Sequence, residues 1–213
     1  TNVYVKKYPV LIILVYLYNL TDNKLKLEKT LKTMKKENFK ANEYSLKKTL
    51  AFTLYRNSKY KEAVPILLSL YKTNKYDISV LYCLAMARKR LGFNEKAMNC
   101  FNLIFAVTTK NVRINNSYML FLIDQKLYGS VEEFFVIIYS KGFFNNKTLL
   151  LYFYAMVFNR EYGKAKGFLT VLEPLFAGNQ LFLEAAAEYY LRGGNVEKAA
   201  DYYYKLYNIC PAD

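Results

Sequence analysis

The chain has 213 residues, 54% of them hydrophobic and 17% aromatic. That is enough apolar side chain to build a core, which excludes wholesale disorder. It contains no histidine, which removes imidazole-activated nucleophiles, imidazole metal sites and a neutral-pH proton switch. Lys and Arg outnumber Asp and Glu by 31 to 17, a net charge of +14 that points either to anionic partners or to the codon bias of an AT-rich genome.

The first element is "YPVLIILVYLYNL", residues 8–20, the most apolar run in the chain. It has 13 residues, whereas a spanning helix needs about 20. Lys6 and Lys7 flank it on one side, Asp22 and Lys24 on the other. No small-residue cleavage site follows it, so it is not read as a secretion signal. Pro9 can start a helix, and Thr21–Asp22 can turn the chain into a second helix over about 23–38, capped by one of those two residues. The expectation is a helical hairpin packed on the fold that follows or on a partner, with an extended strand as the alternative. In the second helix Leu27, Leu31 and Met34 form a narrow apolar stripe, and Lys24, Lys26, Lys29, Lys32, Lys35 and Lys36 crowd the rest. This is either a solvated capping helix or a basic amphipathic helix at an anionic membrane surface.

Eight glycines and four prolines are few, which favours helices over a sheet of hairpins. From residue 44 onward the chain repeats. Ala63, Ala97, Val131, Ala165 and Ala199 follow one another at 34 residues without a gap. Twelve residues earlier lie Ala51, Ala85, Met119, Phe153 and Ala187. Four and seven residues after the first column lie Leu67, Phe101, Phe135, Leu169, Tyr203 and Leu70, Ile104, Ile138, Leu172, Leu206. Small residues suit the close crossing of two antiparallel helices, and the i, i+4, i+7 apolar set is one helix face. Gly92, Gly129, Gly163 and Gly193–Gly194 fall near the turns. Met119, Val131 and Phe153 should widen their helix pairs, and Pro65 should kink or delay the helix that contains it.

These columns resemble the tetratricopeptide repeat family, best in "LYCLAMARKRLGFNEKAMNCF" and "FLEAAAEYYLRGGNVEKAADYYYKLYNICP". The resemblance implies an all-α fold: a right-handed helical-repeat solenoid of five 34-residue helix–turn–helix repeats over 44–77, 78–111, 112–145, 146–179 and 180–213. Residues 1–43 form an N-terminal helical extension.

The motifs of catalysis are missing: there is no GxxxxGK[ST], no GxGxxG after a strand, no GxSxG and no convergent acid pair. Cys83, Cys100 and Cys210 are widely spaced and are read as small apolar core residues without a disulfide framework. The chain is expected not to be an enzyme and to need no cofactor or metal.

The resemblance points instead to a groove lined by the first helix of each repeat. Projected onto it are Lys48 and Phe52 in the first repeat, Tyr82 and Met86 in the second, and Arg113, Leu120, Ile123 and Asp124 in the third. Leu150, Tyr154 and Phe158 follow in the fourth, and Leu181, Glu184, Glu188, Leu191 and Arg192 in the fifth. A partner peptide or helix would dock there, with aromatic and Arg anchors dominating. The chaperone-tail clamp of this family is broken: Lys48 and Arg113 match basic positions, but Phe52, Cys83 and Ser117 replace the rest. Tyr203, Tyr204 and Tyr207 in the last helix form a second expected contact face, for a partner or another copy of the chain. The function expected is a scaffold or adaptor that holds a protein partner, membrane-associated in a bacterial cell envelope. The alternatives are a basic RNA-binding repeat protein, disfavoured because the densest lysines lie outside the groove, and a cytosolic secretion-type chaperone.

Overall fold

The computed structural model describes residues 11, 14–15, 17–18, 21, 23–36 and 43–209. Among them all regular structure is α-helical, which agrees with the all-α expectation. The helices are α1 (Lys24–Lys36), α2 (Glu43–Arg56), α3 (Tyr60–Thr73), α4 (Ile78–Arg90), α5 (Asn94–Val107) and α6 (Val112–Asp124). They continue with α7 (Tyr128–Ser140), α8 (Asn146–Phe158), α9 (Tyr162–Phe176), α10 (Gln180–Arg192) and α11 (Val196–Ile209). From α2 onward they form five pairs, one per repeat.

The local chemistry of each pair is periodic. Asp77, Asn111, Asn145 and Asn179 stand 34 residues apart and cap α4, α6, α8 and α10 with their side-chain oxygens. Each satisfies backbone N–H groups that a helix start leaves unpaired. Asn145 adds a reciprocal bond with Thr148. Inside every pair the turn is also conserved in geometry. Ser58, Gly92, Lys126, Arg160 and Gly194, again 34 apart, all have left-handed backbone with φ between 58° and 78°. The next residue then donates its N–H to a carbonyl five residues back: Lys59 to Leu54, Phe93 to Arg88, Leu127 to Leu122, Glu161 to Met156 and Asn195 to Tyr190, at 2.8–2.9 Å. This is the Schellman closure. Gly129 and Gly163 lie near these turns, in the first turns of α7 and α9; the left-handed positions themselves belong to Lys126 and Arg160.

The chain divides into two compact units, Thr1–Val107 and Thr108–Asp213. In the first, α2 packs on α3, α3 on α4 and α4 on α5. Ala51, Ala63, Ala85 and Ala97 are fully buried, where the small side chain lets the backbones approach. The N-terminal segment is helical at residues 11, 14, 15, 17 and 18. Leu11 and Val15 are buried and pack with Leu14, Leu27, Leu31 and Leu50. The described residues of this segment therefore pack on α1 and on Leu50 of α2. Thr21 does not cap α1; Asn23 stands before it, and its Oδ1 accepts from the Lys26 N–H at 3.2 Å, while Asp22 lies outside the described residues. Because Leu27 and Leu31 serve this packing, most of the apolar stripe of α1 is taken internally. α3 begins at Tyr60 with Pro65 in its second turn, so the proline does not delay the helix.

In the second unit α6 lies beside α8, and α8 beside α10, while α7, α9 and α11 pack behind them. Met119, Val131 and Phe153 are fully buried at the crossings. Accordingly α6/α7 and α8/α9 approach closely over a shorter stretch than α10/α11, where Ala187 and Ala199 meet. Asn115 is fully buried and donates to the carbonyls of Thr109 at 2.8 Å and Phe143 at 3.1 Å, which ties the start of α6 to the turn after α7.

Candidate partner-binding site

The fifth residue of each repeat is Lys48, Tyr82, Asn116, Leu150 and Glu184. In two repeats this position holds the cap of the next first helix. Lys48 Nζ meets Asp77 Oδ2 at 2.7 Å, and the Tyr44 hydroxyl donates to the same oxygen at 2.8 Å. Burial alone would raise the Asp77 pKa; bonds from Lys48, Ser79, Tyr44 and the Val80 N–H overcome it and hold the carboxyl at about 2. Asn116 plays the equivalent part in the second unit: its Nδ2 donates to Asn145 Oδ1 at 3.1 Å, and its Oδ1 accepts from Thr148 Oγ1 at 2.6 Å. Lys48 is thus not the open groove cation projected from sequence; its ammonium is committed to Asp77 and lies 5.6 Å from the Phe52 ring centroid.

In the first unit Phe52, Tyr82 and Met86 are half-buried. In the second, Arg113 is exposed and Leu120 and Phe158 are half-buried, but Ile123, Leu150 and Tyr154 are in the core, at 7%, 1% and 7% exposure. The expected open apolar row is largely closed, because α6, α8 and α10 lie side by side and cover one another's flanks. Phe158 stacks on Tyr154 at 4.5 Å and on Tyr128 at 5.7 Å between centroids.

What stays open is a pocket of about 430 Å³ lined by Phe158 of α8, Gln180, Glu184 and Glu188 of α10, and Tyr203 and Leu206 of α11. Residues 180, 184 and 188 are one turn apart and form a single polar stripe. Tyr203 and Leu206 end two columns that are buried in every earlier repeat; Tyr203 is 41% exposed, against 0–6% for Leu67, Phe101, Phe135 and Leu169. Burial, then the nearby Glu184 carboxylate, then Tyr128 and Asp124 push the Tyr154 pKa well up. Tyr203 is also raised, by burial first and then by Glu188 and Glu184. Arg192 Nε pairs with Glu188 Oε1 at 2.7 Å. Two residues projected onto different surfaces, Phe158 in the groove and Tyr203 at the C-terminal face, thus meet at one pocket. Tyr128 and Gln180 were not singled out in the sequence, and Leu206 only as a member of an apolar column, although tyrosine recurs at Tyr60, Tyr128 and Tyr162.

Tyr204 and Tyr207 are 68% and 66% exposed. Tyr202 beside them is buried, stacks on Tyr190 at 5.6 Å and donates its hydroxyl to Glu173 Oε1 at 2.5 Å, so only part of the tyrosine-rich helix faces outward. A second pocket, about 490 Å³, lies among Phe135, Tyr139, Phe144, Tyr152, Met156 and Phe168, with Lys164 at its rim. Among the described residues no group of three His, Cys, Asp or Glu could hold a metal ion, and no helix is long and apolar enough to cross a membrane.

Charge is divided unevenly between the units. Thr1–Val107 holds 20 Lys and Arg against 7 Asp and Glu, net +13; Thr108–Asp213 holds 11 against 10, net +1.

Five helix pairs with one turn geometry and a 34-residue period define an α-helical repeat protein. The fold is that of the tetratricopeptide repeat proteins. A tetratricopeptide repeat protein from Parabacteroides merdae is similar over 97% of this chain and 81% of its own, at 20% identity and a TM-score of 0.74. PilW, a type IV pilus biogenesis factor, is similar over 78% of this chain and 77% of its own, at 17% identity and a TM-score of 0.64. YrrB, a repeat protein with an unusual peptide-binding site, is similar over 85% and 92%, at 11% identity and a TM-score of 0.66. No protein-family model matches the sequence. No curated protein matches it either.

Proposed function

We propose that this chain is a non-enzymatic scaffold or adaptor that holds a protein partner against the first-helix face of its second unit. The open pocket beside Phe158, Glu184, Glu188 and Tyr203 carries the reading. Side-by-side helices usually consume their flanks in packing, and here aromatic and charged groups remain available together on one surface. The likeness in fold to YrrB supports peptide docking on such a face. The surface we assign comprises Arg113, Leu120 and Phe158 with the α10 stripe; Leu150, Ile123 and Tyr154 support it from beneath. In the first unit, Phe52, Tyr82 and Met86 form a separate proposed contact patch. The setting we propose is a bacterial cell-envelope assembly, supported by the likeness to PilW, with the cytoplasm as the alternative. RNA binding is a second reading, favoured only by the +13 of the first unit.

A photo-reactive phenylalanine analogue at Leu120 or Leu191 of the full chain, irradiated in its native cells, should give a cross-linked protein adduct. The same analogue at Ile137, 47% exposed on α7, should not. Adducts at Ile137 alone, or at no site, would overturn the assignment.

A further inference from the structure

The surface just proposed as a docking face has a chemistry that the rest of the chain lacks. The protein as a whole is strongly basic, yet two carboxylates, Glu184 and Glu188, line this pocket beside the rings of Phe158 and Tyr203. Beside the pocket, Arg192 is bound through its Nε to Glu188. Glu188 accepts from Arg192, but a carboxylate has about four acceptor positions. The pocket floor is aromatic, through Phe158 and the exposed ring of Tyr203. A ring face attracts a cation electrostatically, and a carboxylate completes the coordination with charge-assisted hydrogen bonds. An anionic group would meet Glu184 and Glu188 directly. A purely apolar side chain would leave both carboxylates desolvated beside it.

We propose that the pocket between α8, α10 and α11 takes a lysine or arginine side chain of a partner protein, so that the segment docked on this face is basic. The proposal rests on the docking reading above and adds the chemistry of the partner. The apolar stem of the side chain lies along Phe158, Tyr203 and Leu206, and its charged end reaches Glu184 and Glu188. The basic first unit repels a cationic segment, so attraction rests on the carboxylates of the second unit's own pocket.

The probe is a fluorescein-labelled hexa-arginine peptide, followed by anisotropy against the full chain, with a hexa-glutamate peptide as control. General electrostatics predicts that a chain of net charge +14 repels hexa-arginine, so its binding would have to be local. Wild-type protein should bind it, and the Glu184→Gln/Glu188→Gln double variant should bind at least tenfold more weakly. Glutamine keeps the shape and one acceptor, so helical circular dichroism should not change. Tyr203→Ala, at an exposed ring, should also weaken binding several-fold. Failure of hexa-arginine to bind, or equal binding by the double variant, overturns the proposal. If Leu120 and Leu191 still cross-link a partner in that case, the docking face stands without the cation pocket; if they do not, both fall. Self-association of the wild type that is abolished in the double variant would also overturn it, by making the occupant the lysine-rich first unit of a second copy.

Discussion

At the scale of residues, Asp77 gathers several stabilising contacts at one carboxylate. It caps α4 through Ser79 N–H and Val80 N–H, at 3.1 and 3.2 Å, and binds both Lys48 and Tyr44. Its folded pKa of about 2 lies below the ordinary 3.8. A depressed carboxylate pKa contributes stability that is present above the unfolded value and lost as pH falls through the folded one. The window is therefore about pH 4 down to about pH 2. Asp77→Asn keeps a capping oxygen but removes the charge. It should lower stability at pH 7 by about 1–2 kcal/mol and flatten the acid limb of stability between those pH values, measured by urea unfolding at a series of pH values. An unchanged acid limb would show that Lys48 does not stabilise the ionised form. The Arg160 and Lys126 turns make a related point. Both side chains sit where glycine is at ease, and the fold tolerates the penalty, about 1 kcal/mol each, because the Schellman bonds and the flanking helices fix the backbone.

At the scale of elements, the N-terminal segment decides whether the first repeat has a covered flank. Leu11 and Val15 bury themselves against Leu27, Leu31 and Leu50. Fully burying a side chain of this kind contributes about 1.5–3 kcal/mol. Deleting residues 1–20 should therefore lower the thermal midpoint by several degrees while leaving most helical signal at low temperature. Calorimetry of the truncated chain checks this, and an unchanged midpoint would mean that the segment merely links to something upstream. The same packing takes up Leu27 and Leu31: of the leucines of α1 only Leu25, at 81% exposure, is left outside it. Its lysines can meet an anionic surface, but mainly as charges.

At the scale of the whole molecule, charge separates the two ends of the chain. Any binding of single-stranded RNA should be a property of the lysine-rich first unit, indifferent to sequence and steeply salt-dependent. Replacing Lys24, Lys26, Lys29 and Lys32 by Gln should weaken retention on a polyanion and reduce the dependence of binding on salt. Tight, sequence-selective RNA binding at physiological salt would displace the scaffold function altogether. The fold itself was legible in the sequence because a repeat writes the same physical need five times. The Ala63-to-Ala199 column, the second small column and the two large apolar columns each recur at one spacing, and each lies in the core except at Tyr203 and Leu206.

The capping column of Asp77, Asn111, Asn145 and Asn179 was written as regularly, but only the structure picks out its role, since Asx residues are common on surfaces and turns. Sequence alone determined the helix pairs, their period and their buried crossings, because those follow from residue size and helical spacing. It also placed Glu184 and Glu188 on the outward stripe of α10. Only tertiary packing decided which projected groove residues stay available. Neighbouring helices closed over Leu150, Ile123 and Tyr154, and Asp77 captured Lys48. Phe158 and Tyr203, 45 residues apart in the chain, were brought to one pocket. Exposure is a property of how helices sit against each other, and no single helix carries it in its own pattern.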